Sequence, residues 1–181
     1  VNIIKESIEK KDINQSILQL AYHFPLVFGQ REYYALVVLN GLLGSFAHSR
    51  FFTKIREEEG LAYSIGCRFD VYTGLFDVYA GIDSQNRTKT LQLIVKELND
   101  IKMGRFSGQL MKKTKLMLIN NALLSEDYSK NMIEMTYMAS YIDPSYSIKH
   151  WIDEIDKVSK VDIIKVANLL KLQTVYFLEG K

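Results

Sequence analysis

The chain has 181 residues, 48% of them hydrophobic and 24% charged, with 23 Lys and Arg against 21 Asp and Glu. That apolar content excludes a disordered or collagen-like chain, and two prolines with ten glycines exclude a Pro/Gly-rich linker protein. A formal charge of +2 without a dense basic stripe argues against a nucleic-acid partner, and one cysteine, Cys67, excludes an internal disulfide or a thiolate metal cluster.

Residues 1–14, opening on Val1 and carrying Lys5, Glu6, Glu9, Lys10 and Lys11, read as a polar linker or lead-in, with the domain proper over 15–181. No signal-peptide pattern occurs, and no apolar run approaches the ~20 residues of a membrane helix. The expectation is a soluble, cytoplasmic domain without a membrane partner, cut from a longer parent. Ile17 to Phe24 alternate in polarity and predict a largely buried strand ended by Pro25. The apolar run Tyr33 to Leu43 predicts a buried helix bracketed by Gly41 and Gly44, and a second helix carries Phe51, Phe52 and Ile55 to a stop at Gly60.

The period then becomes two. Leu61, Tyr63, Ile65, Cys67, Phe69 and Val71 share one face, Thr73-Gly74 supplies a turn, and Phe76, Val78, Ala80 and Ile82 continue the alternation. This predicts a long antiparallel hairpin. Beyond Asn86 the period returns to 3.6. Leu91, Ile94, Val95, Leu98 and Ile101 mark one helix, and Ser107 caps another through Leu110, Thr114, Met117, Leu118 and Leu124. Helices over Ser129 to Tyr141 and Ser147 to Val158 follow, then a Ser159/Asp162 capping box opening a helix to Leu170, and a last strand at Thr174 to Leu178. The order describes an α+β domain, a mostly antiparallel sheet with helices packed on one face.

Metal chemistry has little support: His23, His48 and His150 are far apart, and neither H-E-x-x-H nor H-x-x-E-H occurs. Cys67 falls on the apolar side of a strand and reads as a small core residue. No G-x-S-x-G elbow or phosphate-binding glycine loop is present, so no catalytic residue and no metal ligand is expected in this chain. Arg56 and Tyr63 stand seven residues apart across a helix-to-strand corner, close enough to converge as a donor pair for a peptide carbonyl or developing oxyanion. Spacing alone favours instead an Arg56 paired with Glu57 to Glu59 and a Tyr63 that is a core aromatic.

The run Leu43-Gly44-Ser45-Phe46-Ala47-His48-Ser49-Arg50-Phe51-Phe52, followed by Ile55-Arg56-Glu57-Glu58-Glu59-Gly60-Leu61-Ala62-Tyr63-Ser64, resembles the signature of the insulinase/pitrilysin-type (inverted zincin) peptidases, which include mitochondrial-processing-peptidase-like proteins. Asn14-Gln15-Ser16, Gly74-Leu75-Phe76 and Gly81-Ile82-Asp83 add to the likeness. The sequence departs in having Leu43-Gly44 for a paired glycine and Phe51 for a leucine. The resemblance implies the C-terminal, non-zinc domain of a LuxS/processing-peptidase-like metallohydrolase fold, in which Arg56 and Tyr63 contact the peptide substrate and support the transition state. Zinc and its water-activating glutamate would come from a homologous N-terminal domain or a partner subunit, in a homo- or hetero-dimeric assembly. A non-catalytic partner subunit or scaffold that completes a peptidase chamber is the alternative.

Overall fold

The computed structural model describes residues 4–25, 30–125, 137, 144 and 147–180. In chain order the elements are strand β1 (Lys5–Lys10), β2 (Ser16–His23), helix α1 (Gln30–Gly44), a π-helix (Phe52–Glu58), β3 (Ala62–Asp70) and β4 (Leu75–Ile82). After a 3₁₀ turn at Ser84–Asn86 come α2 (Arg87–Lys102), α3 (Gly108–Ser125), α4 (Ile148–Lys157), α5 (Lys160–Leu169) and β5 (Lys171–Glu179). The helix expected over Ser129 to Tyr141 falls, Tyr137 apart, outside the described residues.

The five strands form one sheet in the order β1-β5-β2-β4-β3, antiparallel at every pairing except β1 with β5. Pairing sets Leu18, Leu20 and Tyr22 beside Ala80, Val78 and Phe76, and sets Leu18 and Leu20 beside Phe177 and Val175. Each of these is under 5% exposed, so this face is the core side of the sheet. Helix α1 lies over it, packed against α3, α4 and α5 and against β3. It is apolar on most sides because it has neighbours on most sides: nine of its residues, from Tyr33 to Leu43, are buried. The opposite face carries Ile17 and Tyr79, exposed at 41% and 44%.

The helices begin where their caps say. Ser147 Oγ accepts from His150 N at 3.1 Å, Ser107 Oγ from Leu110 N at 3.0 Å, and Ser159 and Asp162 exchange both bonds of a capping box. Two features differ from expectation. The polar lead-in contains β1, whose six residues are all exposed, and β5 begins three residues earlier than its apolar pattern. Both extensions are made by backbone pairing, to which side-chain periodicity is blind. The charged side chains of β1 suit a sheet edge, where they oppose pairing with another chain.

Candidate active-site corner

The turn after α1 is built by small residues. A Cβ on Gly44 would lie 2.8 Å from Cys67 Sγ and 3.0 Å from its backbone N, so only glycine lets the helix end approach β3 this closely. Ser49 is fully buried; its hydroxyl donates to the Gly41 carbonyl at 2.6 Å and accepts from Phe46 N at 2.9 Å, pinning the turn to the helix. Arg50 leaves the turn toward α2, where Glu97 accepts from its Nε and from a terminal nitrogen, each at 2.7 Å. Phe51 and Ile55 are 0% exposed and anchor the next segment in the core.

That segment winds as a π-helix, a geometry frequent at functional sites. The widened turn ends at Gly60, whose φ of +60° is left-handed backbone, and Leu61 N closes onto the Ile55 carbonyl at 3.0 Å. Arg56 is exposed, and its guanidinium sits over the Phe52 ring, 4.5 Å from the centroid. The neighbouring acids look elsewhere: Glu58 holds Lys54 and Glu59 holds Lys89, both at 2.8 Å. Among the described residues no carboxylate pairs with Arg56.

Tyr63 is 59% exposed and is not a core aromatic. The ladder between β3 and β4 runs Ala62↔Ile82 and then Ser64↔Gly81, so Tyr63 is the extra residue of a β-bulge. The bulge takes Tyr63 out of the apolar face that simple alternation assigned to it, while Ile65, Cys67 and Phe69 keep that face beside Ala80, Val78 and Phe76. The Tyr63 hydroxyl donates to Asp83 Oδ1 at 2.8 Å, and this hydrogen bond, with the Asp83 charge, holds the phenol pKa above its ordinary value. No hydrogen bond joins Arg56 to Tyr63; they stand on two sides of one helix-to-strand corner. Register also brings the remaining sequence blocks here: Ser16 pairs with Ile82, and Asn14, Ser16, Asp83, Ser84 and Gln85 line a polar recess of about 240 Å³.

Known proteins resemble this chain. The family model described as the peptidase M16 inactive domain matches residues 3–118. The chain belongs to that family. A "Probable inactive metalloprotease YmfF" of Bacillus subtilis strain 168 is 33% identical over 176 residues, covering 97% of this chain and 41% of that protein. An "Uncharacterized zinc protease YmxG" of the same strain is 29% identical over 118 residues, 64% of this chain and 29% of the relative. The crystal structure of a conserved protein from Enterococcus faecalis V583 superposes with a TM-score of 0.88 at 36% identity, covering 100% of this chain and 43% of that one. The M16 domain described here thus spans under half the length of each of these three proteins.

Among the described residues of this M16 domain no three or more His, Cys, Asp or Glu side chains stand together as a metal group. His48 Nε2 lies 3.1 Å from Thr114 Oγ1 and its ring stacks on Phe46, with burial and then Lys113 holding its pKa down. The His150 ring meets Tyr34 edge-on. The Cys67 thiol donates to the Asn40 carbonyl, and burial pushes its pKa up, as suits an inert core thiol. Three residues of this corner were assigned no functional role from sequence: Phe52, Asp83 and Glu97. Phe52 and Asp83 lay inside the blocks that carry the family likeness, and Glu97 had its own signal, an acidic residue three positions after Ile94 on the apolar stripe of α2.

Proposed function

We propose that this chain is the substrate-contacting, non-zinc domain of a zinc metallopeptidase, and that Arg56 and Tyr63 engage the backbone of an extended peptide. The unpaired guanidinium of Arg56 carries the reading. It is fixed over Phe52, exposed, and aligned with no carboxylate among the described residues, so its donors are available to a peptide carbonyl or a developing oxyanion. Zinc and the base that activates water belong to a homologous domain, in the same polypeptide or in a partner subunit. By itself the chain hydrolyses nothing.

The test compares peptide hydrolysis by these 181 residues with hydrolysis by the intact protein that carries them. No zinc-dependent turnover is expected from the chain alone. In the intact protein Arg56→Ala should lower kcat/KM on the order of 10²-fold, the usual loss for one transition-state donor. Robust hydrolysis by the chain alone, or an unchanged kcat/KM in the variant, refutes the proposal. A second reading has one observation in its favour, the word "inactive" in the name of the Bacillus subtilis relative. On that reading the domain completes a chamber without turnover, and the intact protein binds peptides through Arg56 and cleaves none.

A further inference from the structure

The phenol of Tyr63 has one proton, and that proton is already placed. Its acceptor, Asp83 Oδ1, is a carboxylate oxygen, 2.8 Å from the phenol oxygen. Asp83 is also held from behind. It follows Ile82, a fully buried residue at the end of β4, and its carbonyl accepts from Asn86 N at 2.9 Å. It stands at the N-cap of the 3₁₀ turn Ser84–Asn86, where an aspartate ordinarily turns its carboxylate onto the following amides. Here it makes no such bond, and its carboxylate serves Tyr63.

The bulge works in the same direction. It lifts Tyr63 out of the ladder, so the aromatic side chain is not packed into place and its orientation depends on the hydroxyl contact. We infer that Asp83 is a positioning residue that fixes Tyr63 as a hydrogen-bond acceptor, so that the phenolic oxygen receives an N–H from the substrate backbone while Arg56 donates to a carbonyl. The inference rests on the peptide-binding reading above and gives the two residues opposite polarity. An extended peptide offers N–H and C=O in alternation, and one all-donor group beside one acceptor reads that alternation where two donors would not.

Two measurements test it. The first uses the 181-residue chain labelled with ¹³Cζ-tyrosine, with Tyr63→Phe to assign the resonance. Tyr63 should titrate above its ordinary 10.0, and Asp83→Asn, which keeps the shape and removes the charge, should bring it down. An identical titration in the two proteins overturns the assignment of Asp83. The second measures, by fluorescence anisotropy, binding of a fluorescein-labelled alanine- and valine-rich peptide to the intact protein. Each backbone amide is replaced in turn by an ester, which deletes one N–H. One ester should raise Kd roughly tenfold, the cost of one such hydrogen bond. That penalty should vanish in Tyr63→Phe, shrink in Asp83→Ala and persist in Arg56→Ala. If no ester penalty depends on Tyr63, the acceptor role is wrong. If neither Arg56→Ala nor Tyr63→Phe alters Kd for the all-amide peptide, the peptide-binding reading itself fails, and the titration still judges Asp83.

Discussion

Glu97 on α2 holds two nitrogens of Arg50 at 2.7 Å each while only 3% of its own side chain is exposed. This one carboxylate, with Asp100 at 3.6 Å from the same guanidinium, joins the turn that precedes the candidate corner to the long helix behind it. A buried charge keeps its place only with its partners present, because they offset the cost of taking it out of water; for Glu97 these are Arg50 and, more distantly, Lys96 at 3.6 Å.

Removing one member of that pair should therefore cost much more than removing both. We expect Glu97→Ala to destabilise the domain by roughly 3 kcal/mol, leaving Arg50 without its main counter-charge. The double variant Arg50→Met/Glu97→Leu should lose clearly less than Glu97→Ala alone. Urea unfolding of the four proteins gives the cycle. A Glu97→Ala loss below about 1 kcal/mol would mark the pair as incidental.

Two glycines with open space around them should respond in opposite ways. Nothing stands within 4 Å of a Cβ built on Gly60 or on Gly108, but Gly60 alone of the two has a positive φ. Gly60→Ala should cost about 1–2 kcal/mol through the left-handed backbone alone, with Gly60→Asn milder. Gly108→Ala, at the first turn of α3, should leave the melting temperature unchanged or slightly raised. Equal effects at the two sites would contradict a conformational origin.

Acid stability should report on Asp162. Burial by itself would raise its carboxyl pKa, but hydrogen bonds from Ser159 and the Arg31 guanidinium at 2.7 Å outweigh it, so the folded value lies below the ordinary 3.8. A depressed carboxylate adds stability that is present above the unfolded pKa and lost as pH falls through the folded one. Melting temperature should thus drop as pH is taken below about 4, and Asp162→Asn should flatten that limb. Ser159→Ala, which removes the cap, should cost about 1 kcal/mol at neutral pH.

Phe52 should matter through Arg56. The ring under the guanidinium limits where that side chain points, and an exposed cation–π contact is worth roughly 0.5–1 kcal/mol. Phe52→Leu is expected to weaken peptide binding by the intact protein about threefold. The same change made on an Arg56→Ala background should have no further effect. A threefold loss that survives without Arg56 would assign Phe52 a direct contact instead.

The regular parts of this fold were legible wherever side chains carried the periodicity. Alternation at Ile17 to Phe24 and through the hairpin, caps at Ser107 and Ser159, and the stop at Gly60 each correspond to a short-range physical preference of a side chain or of glycine backbone. The block from Leu43 to Ser64 was enough to point to the family. Strand β1 was not legible, because a run of exposed, charged residues joins a sheet only through its backbone.

Most of the corner belongs to the tertiary level. Alternation alone assigned Tyr63 to the core face, and a one-residue slip in register against β4 carried it out to solvent. Arg56 beside three glutamates read as a self-contained ion cluster, yet Lys54 and Lys89 take two of those acids and leave the guanidinium to Phe52. Asp83, twenty positions from Tyr63, reaches the phenol only because β3 and β4 lie side by side. By itself the sequence determined the α+β class, the family and the residue types at the helix-to-strand corner, since those follow from local pattern. Only the folded chain decided which of these groups are paired, which stay open and which way the Tyr63 proton points, because those depend on distances between residues remote in sequence.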